Sequence, residues 1–117
     1  FDDVASLDAV LDDTMAALIV EPVQGMAGAR DCGPEFLAAA RRLCTDRGIA
    51  LLFDEVQCGV GRSGAFTAAE LYGVVPDGLT LAKGLGSGYP IGAVVAGLLI
   101  GLAIGVVWRR ARRASQT

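Results

Sequence analysis

Three apolar runs, each followed by a charged side chain, constrain the fold of this 117-residue chain more than any other feature. The runs and the residues that follow them are 15–20 with Glu21, 49–53 with Asp54, and 78–82 with Lys83. Continuous apolar runs of this length are typical of strands that are buried on both faces of a sheet. Helical segments separate the runs, and this alternation predicts an α/β fold with a parallel or mostly parallel sheet.

Three segments predict helices. Residues 3–13 and 34–47 place apolar side chains at helical spacing, and residues 66–72 predict a short third helix. The segment 34–47 has the clearest ends, because Pro34 suits a first helical turn and Gly48 suits the position after the last. The glycine-rich stretches between the elements predict loops.

The predicted strands bring one amine and two acids to one edge of the sheet, where ligands of open α/β sheets bind. Lys83 is the only lysine in the chain, and a lysine in this place can form a Schiff base with a carbonyl compound. Asp54 can hold the protonated pyridine nitrogen of pyridoxal phosphate, which makes the ring an electron sink. The alternatives are a surface lysine at a strand end and a solvated aspartate that caps a turn.

The composition excludes several function classes. The chain has no histidine, so neither a Ser-His-Asp nor a Cys-His site is expected from it. Its three cysteines show no Cys-x-x-Cys spacing, so no metal site is expected. The residues before the final arginines are acidic overall, which argues against nucleic-acid binding. No secretory signal opens the sequence, so we expect reduced thiols and a cytoplasmic location.

Three motifs resemble the class III aminotransferases, and the closest likeness is to the acetylornithine and ornithine branch. They are VEPVQG at residues 20–25, FDEVQCGVGRSG at residues 53–64, and LAKGLGSGYPIGA at residues 81–93. The resemblance covers about residues 1–96. It implies part of the large domain of a fold-type I pyridoxal-phosphate enzyme, a three-layer α/β sandwich, in a homodimer. It also implies transfer of an amino group from an acetylornithine-like or ornithine-like donor to a 2-oxo acid.

The resemblance assigns roles to four residues. Lys83 is similar to the lysine that carries pyridoxal phosphate and moves the proton. Asp54 is similar to the partner of the pyridine nitrogen, and Gln57 to the contact of the phenolic oxygen. Val56 is similar to the apolar residue that packs against one face of the ring.

The sequence departs from the family pattern in two ways. Met26 follows Gln24-Gly25 where ornithine-type enzymes usually have a glutamate that helps govern substrate recognition, and a thioether cannot pair with an arginine or an amino group. The family's phosphate-binding and ring-stacking residues lie upstream of the matched region. Its carboxylate-binding arginine and its partner-subunit phosphate contact lie downstream. We therefore expect this chain to be part of a longer protein and to be inactive alone.

The end of the chain has a different character. Residues 91–108 contain no charged side chain, glycines recur every four residues from Gly97, and four arginines follow Trp108. These features predict an apolar C-terminal helix that contacts or spans a membrane, with residues 97–117 as a tail outside the family. A buried core helix, a strand continuation or a frame-shifted end are the alternatives. The corresponding alternative function is an inactive, membrane-anchored or dimerising remnant of an aminotransferase.

Overall fold

The computed structural model describes residues 1–97, which form a four-stranded sheet, a two-stranded hairpin and three helices. The strands are β1 (Ala17–Val20), β2 (Val23–Gln24), β3 (Arg30–Asp31), β4 (Ala50–Asp54), β5 (Gly78–Leu81) and β6 (Ala93–Ala96). The helices are α1 (Val4–Val10), α2 (Gly33–Arg47) and α3 (Ala68–Tyr72), and a single 3₁₀ turn spans Lys83–Leu85.

The sheet has the strand order β1-β4-β5-β6. β1, β4 and β5 are parallel, whereas β6 pairs with β5 in the antiparallel direction. The register sets Val20 opposite Phe53 and Asp54 opposite Thr80. The predicted mostly parallel sheet is therefore confirmed, with one antiparallel strand at its edge.

The hydrophobic core lies between α2 and one face of the sheet. Leu37, Ala40 and Cys44 of α2 are fully buried, as are Leu51 and Phe53 of β4. The chain that follows α1 and α3 adds further buried apolar residues to the same core. Residues 1–97 thus form two layers, one sheet and one set of helices, and the third layer of the expected sandwich stays a prediction.

The ends of α2 follow from its sequence. Pro34 stands in the first turn, where its missing N–H costs no helical hydrogen bond. Gly48 adopts the left-handed conformation with a φ of 67°, and its N–H donates to the carbonyls of Cys44 and Thr45. The helix therefore ends where predicted, and it begins one residue before the predicted start.

An ion pair attaches α2 to the start of β5. The guanidinium Nη1 of Arg41 lies 2.8 Å from Oδ2 of Asp77, and both side chains are about three-quarters buried. The same carboxylate oxygen accepts the N–H of Leu51 at 2.7 Å. Asp77 therefore connects α2, β4 and β5 at the end of the sheet where β5 begins, opposite to the end that carries Lys83.

The prediction of an apolar helix from Ile91 onward is wrong for residues 91–97. Residues 93–96 form β6, which continues the sheet through its pairing with β5. An apolar run without charges does not distinguish a strand from a buried helix, and the β-branched Val94 and Val95 favour a strand. None of the helices in residues 1–97 has the length and apolar character that crossing a bilayer requires. The rest of the predicted membrane segment and the basic tail lie outside the described residues.

Candidate active site

Two neighbouring strands bring Asp54 and Lys83 to the same edge of the sheet. Asp54 is the last residue of β4, and Lys83 opens the 3₁₀ turn that follows β5. Because β4 and β5 are parallel and adjacent, their carboxyl ends meet at this edge. Glu21 follows β1 at the same edge. The structure therefore places the three charged residues as the sequence predicts.

Hydrogen bonds orient the carboxylate of Asp54. Its Oδ1 accepts the hydroxyl of Thr80 at 3.1 Å and the N–H of Val56 at 3.1 Å. Within residues 1–97, Oδ2 has no hydrogen-bond donor. Asp54 is half-buried. Hydrogen bonds to the protein fix one of its carboxylate oxygens, and the other can accept a hydrogen bond from a ligand.

Lys83 contacts Gln57 directly, and its ammonium donates to Oε1 of Gln57. The lysine side chain is exposed, whereas Gln57 is half-buried. The backbone of Lys83 has a φ of 43°, in the left-handed region that non-glycine residues rarely adopt. Such a conformation costs roughly 1–2 kcal/mol and persists only where the surroundings impose it. The chain therefore holds its only lysine in a strained position.

Gly25 packs against the amide of Gln57. A Cβ atom on Gly25 would lie only 2.1 Å from Nε2 of Gln57, so a side chain there would displace that amide. Sequence reasoning includes Gly25 in a family motif but assigns it no structural role. No periodic pattern identifies this contact, because Gly25 and Gln57 lie on loops that follow different strands.

Val56 lies between Asp54 and Gln57 and is half-buried. Its N–H donates to Oδ1 of Asp54, and this hydrogen bond lies within the turn that carries all three residues. The next residue after Gln57, Cys58, is buried, and burial raises the pKa of its thiol. A neutral thiol is a poor nucleophile, so Cys58 acts here as a packing residue.

Glu55 is a residue that sequence reasoning did not identify. It is completely buried, and its carboxylate accepts the N–H groups of Ala68 at 2.7 Å and Ala69 at 2.9 Å. The signal was present in the alternation of β4, in which Leu51 and Phe53 face the core. Side chains alternate between the two faces of a strand, so Glu55 lies on the same buried face as Leu51 and Phe53. Asp54 lies on the other face.

Among the cavities formed by residues 1–97, two lie against the sheet. One, of about 320 Å³, reaches Asp54, Glu21 and Gln24 at the carboxyl edge. The other, of about 410 Å³, is lined mainly by apolar residues of the α3–β5 connection and the end of β6. It includes Gly78, the first residue of β5, and so lies at the end of that strand opposite to Lys83. The larger cavity is therefore separate from the candidate site.

The comparisons with known proteins agree with this geometry. A family model described as aminotransferase class-III matches residues 1–105. The chain belongs to the class-III aminotransferase family. An acetylornithine aminotransferase of Methanocaldococcus jannaschii is 54% identical over 95 residues, which are 81% of this chain and 24% of that protein. An acetylornithine/succinyldiaminopimelate aminotransferase of Yersinia pestis is 48% identical over 95 residues, again 81% and 24% of the two chains.

Solved structures of this family have the same fold. The N-acetylornithine aminotransferase of Stenotrophomonas maltophilia superposes with a TM-score of 0.82 at 40% identity, over 88% of this chain and 29% of that one. The ornithine delta-aminotransferase of Plasmodium falciparum gives a TM-score of 0.82 at 38% identity, over 88% and 28%. The chain spans about a quarter of the length of its curated relatives. Class-III aminotransferases use pyridoxal phosphate as their cofactor.

Proposed function

We propose that this chain forms the cofactor-holding centre of an aminotransferase that transfers an amino group from an acetylornithine-like or ornithine-like donor to a 2-oxo acid. One observation carries the proposal. At the carboxyl edge of the sheet, the single lysine contacts Gln57, and the adjacent strand ends in a carboxylate whose Oδ1 alone is bound by the described residues. This edge is where ligands of such sheets bind.

The residues at this edge fit pyridoxal phosphate. Oδ2 of Asp54 can accept a hydrogen bond from a protonated ring nitrogen, because Thr80 and Val56 occupy only Oδ1. Gln57 has an amide Nε2 that can donate to a phenolic oxygen, since its Oε1 already accepts the ammonium of Lys83. Because Gly25 has no side chain, the amide of Gln57 has room to lie beside it.

When bound, the cofactor supplies an electron-withdrawing ring that stabilises negative charge at the substrate carbon beside the amino nitrogen. The chain's own residues supply the rest. Asp54 keeps the proton on the ring nitrogen through its negative charge. Lys83 holds the cofactor and, once its amine is free, takes a proton from the substrate carbon and returns it. Val56 offers an apolar side chain to one face of the ring.

The donor class is proposed from the relatives, whose names specify acetylornithine or succinyldiaminopimelate. Met26 lies in the β2–β3 connection beside Gly25 and is 92% exposed. The thioether of a methionine cannot form an ion pair with an ammonium group. A methionine at this place therefore favours an amino donor that has no additional free ammonium group. We therefore place N-acetylornithine ahead of ornithine as the donor, in an enzyme that functions as a homodimer like its family.

The alternative of an inactive, membrane-anchored remnant is not favoured by these comparisons, since the relatives are named as aminotransferases. The test is an assay of the protein that contains this chain, with pyridoxal phosphate, 2-oxoglutarate and N-acetylornithine, in which glutamate formation is measured. We expect turnover in the parent protein and none in Lys83→Ala. Glutamate formation that is equal in both proteins would refute the proposed role of Lys83. Its absence in both would refute the proposed activity.

A further inference from the structure

Glu55 carries the only buried charged side chain in the part of the chain that the structure describes. It lies in the core beside the fully buried Phe53 and Ala68, where an ionised carboxylate requires several hydrogen-bond donors. Two backbone N–H groups of α3 provide them, at 2.7 and 2.9 Å. No lysine or arginine in residues 1–97 forms an ion pair with it.

The backbone of Glu55 is fixed as tightly as its side chain. Its N–H donates to the carbonyl of Thr80 on β5 at 3.0 Å, and its carbonyl accepts the N–H of Gly59 at 3.0 Å. Gly59 also approaches closely, since a Cβ there would lie 2.7 Å from the carbonyl oxygen of Glu55. Glu55 therefore connects three parts of the fold, namely β5, the loop after β4, and α3.

These contacts surround the turn that carries the candidate site. Asp54 precedes Glu55, and Val56 and Gln57 follow it. Thr80 forms hydrogen bonds with both Glu55 and Asp54. Its carbonyl accepts the N–H of Glu55, and its hydroxyl donates to the carboxylate of Asp54. A shift of Glu55 would therefore move the carboxylate of Asp54 and the amide of Gln57 together.

We infer that Glu55 is a positioning residue of this site: its buried carboxylate attaches the turn 54–57 to α3 and thereby sets the positions of Asp54, Val56 and Gln57. The inference rests on the proposed function for its consequence, which is cofactor binding. Its structural part does not depend on that function. The carboxylate of Glu55 is completely buried and bonded to α3, so Glu55 acts on the site through its neighbours.

Hydrogen exchange of the full chain without cofactor tests the structural part. Glu55→Gln keeps the size of the side chain but turns an NH₂ group toward one of the two N–H donors of α3. Loss of a hydrogen bond to a charged group is large enough to accelerate exchange of the Val56 and Gly59 amides by about ten-fold or more. Glu55→Asp, which retains the charge but is one methylene shorter, is a second variant with the same expected result.

Thr67→Ala is the matched control. The Thr67 hydroxyl caps the same helix by accepting the N–H of Glu70 at 3.1 Å, and among the described residues it forms no hydrogen bond with the turn 54–57. We expect faster exchange at Glu70 and rates within about two-fold of the parent at Val56 and Gly59. Unchanged Val56 and Gly59 rates in both Glu55 variants would overturn the inference. So would an equal acceleration at these two amides in Thr67→Ala.

A titration with pyridoxal phosphate tests the consequence. We expect Glu55→Gln to bind the cofactor about ten-fold more weakly than the parent, and Thr67→Ala to bind it within about two-fold. Equal affinity in Glu55→Gln and the parent would overturn the positioning role. If the parent chain itself fails to bind, the proposed function is contradicted, whereas the exchange rates still decide whether Glu55 holds the turn.

Discussion

The hydroxyl of Thr80 donates to Oδ1 of Asp54 at 3.1 Å across the parallel pairing of β4 and β5. The register of the two strands sets these residues directly opposite each other. Thr80 and the N–H of Val56 both donate to Oδ1, so Oδ2 is the oxygen of Asp54 without a donor among residues 1–97. This pairing connects the fold of the sheet to the chemistry at its edge.

Thr80→Val should weaken the binding of pyridoxal phosphate by about ten-fold, because it removes one donor to a charged carboxylate while retaining the shape of the side chain. Valine is well accommodated in a strand, so β5 should remain intact. A spectroscopic titration measures the affinity. Thr45→Val makes the same chemical change on the exposed side of α2 and should leave the affinity unchanged. Equal affinities in the two variants would contradict the role of Thr80.

Gly25→Ala should also weaken cofactor binding several-fold, because its Cβ would occupy the place of Nε2 of Gln57. The unfolding free energy should change by less than about 1 kcal/mol, since the flexible glutamine side chain can move away. Gly28→Ala is the control. Gly28 has a φ of 93°, and a Cβ atom on it would meet no atom within 4 Å, so this variant should lose about 1–2 kcal/mol of stability but no affinity. The reverse pattern would exclude the packing role of Gly25.

Asp77→Asn should lower the unfolding free energy by about 1–2 kcal/mol, because Oδ2 of Asp77 accepts both Arg41 and the N–H of Leu51. An asparagine satisfies only part of this pair. Urea denaturation measures the change. Asp46→Asn, an exposed acid on α2, should stay within about 0.5 kcal/mol of the parent. A similar loss in both variants would show that the general charge of the protein, rather than this contact, is responsible.

The stability of the chain should depend on Tyr72 at alkaline pH. Burial, reinforced by the negative charge of Asp31, raises the pKa of Tyr72 from 10.0 to about 12. Between these two values the unfolded chain has released a proton that the folded chain retains, so the unfolding free energy falls as the pH rises. Tyr72→Phe should therefore show a shallower fall across this window. Tyr89→Phe, at a side chain that is 83% exposed, should behave like the parent. Identical slopes in Tyr72→Phe and the parent would contradict the assignment.

The strands and their charged ends could be predicted from the sequence because strong local signals mark them. An apolar run that stops at Glu21-Pro22 or at Asp54 leaves little choice of boundary, and Pro34 and Gly48 delimit α2. The hairpin β2–β3 could not be predicted, since two strands of two residues each have no periodicity. The glycine and alanine content of this segment predicts only a loop.

The residues that contact the site from distant parts of the chain could not be predicted from the sequence, for a different reason. Thr80 and Gly25 act through contacts with residues that are more than twenty positions away. Strand register brings Thr80 to Asp54, and loop packing brings Gly25 to Gln57. Residues 91–97 show the opposite problem, because their apolar run is compatible with both a helix and a strand. The pairing of β6 with β5, which is non-local, decided between them.

Because Lys83 is the only lysine of the chain, its reaction with pyridoxal phosphate can be measured directly. The chain is incubated with pyridoxal phosphate, reduced with borohydride, digested and analysed by mass spectrometry. We expect the cofactor's mass to be attached to the peptide that contains Lys83, and we expect Lys83→Ala to abolish this attachment. Labelling that is confined to the N-terminal amine, or no labelling at all, would contradict the role of Lys83 as the residue that holds the cofactor.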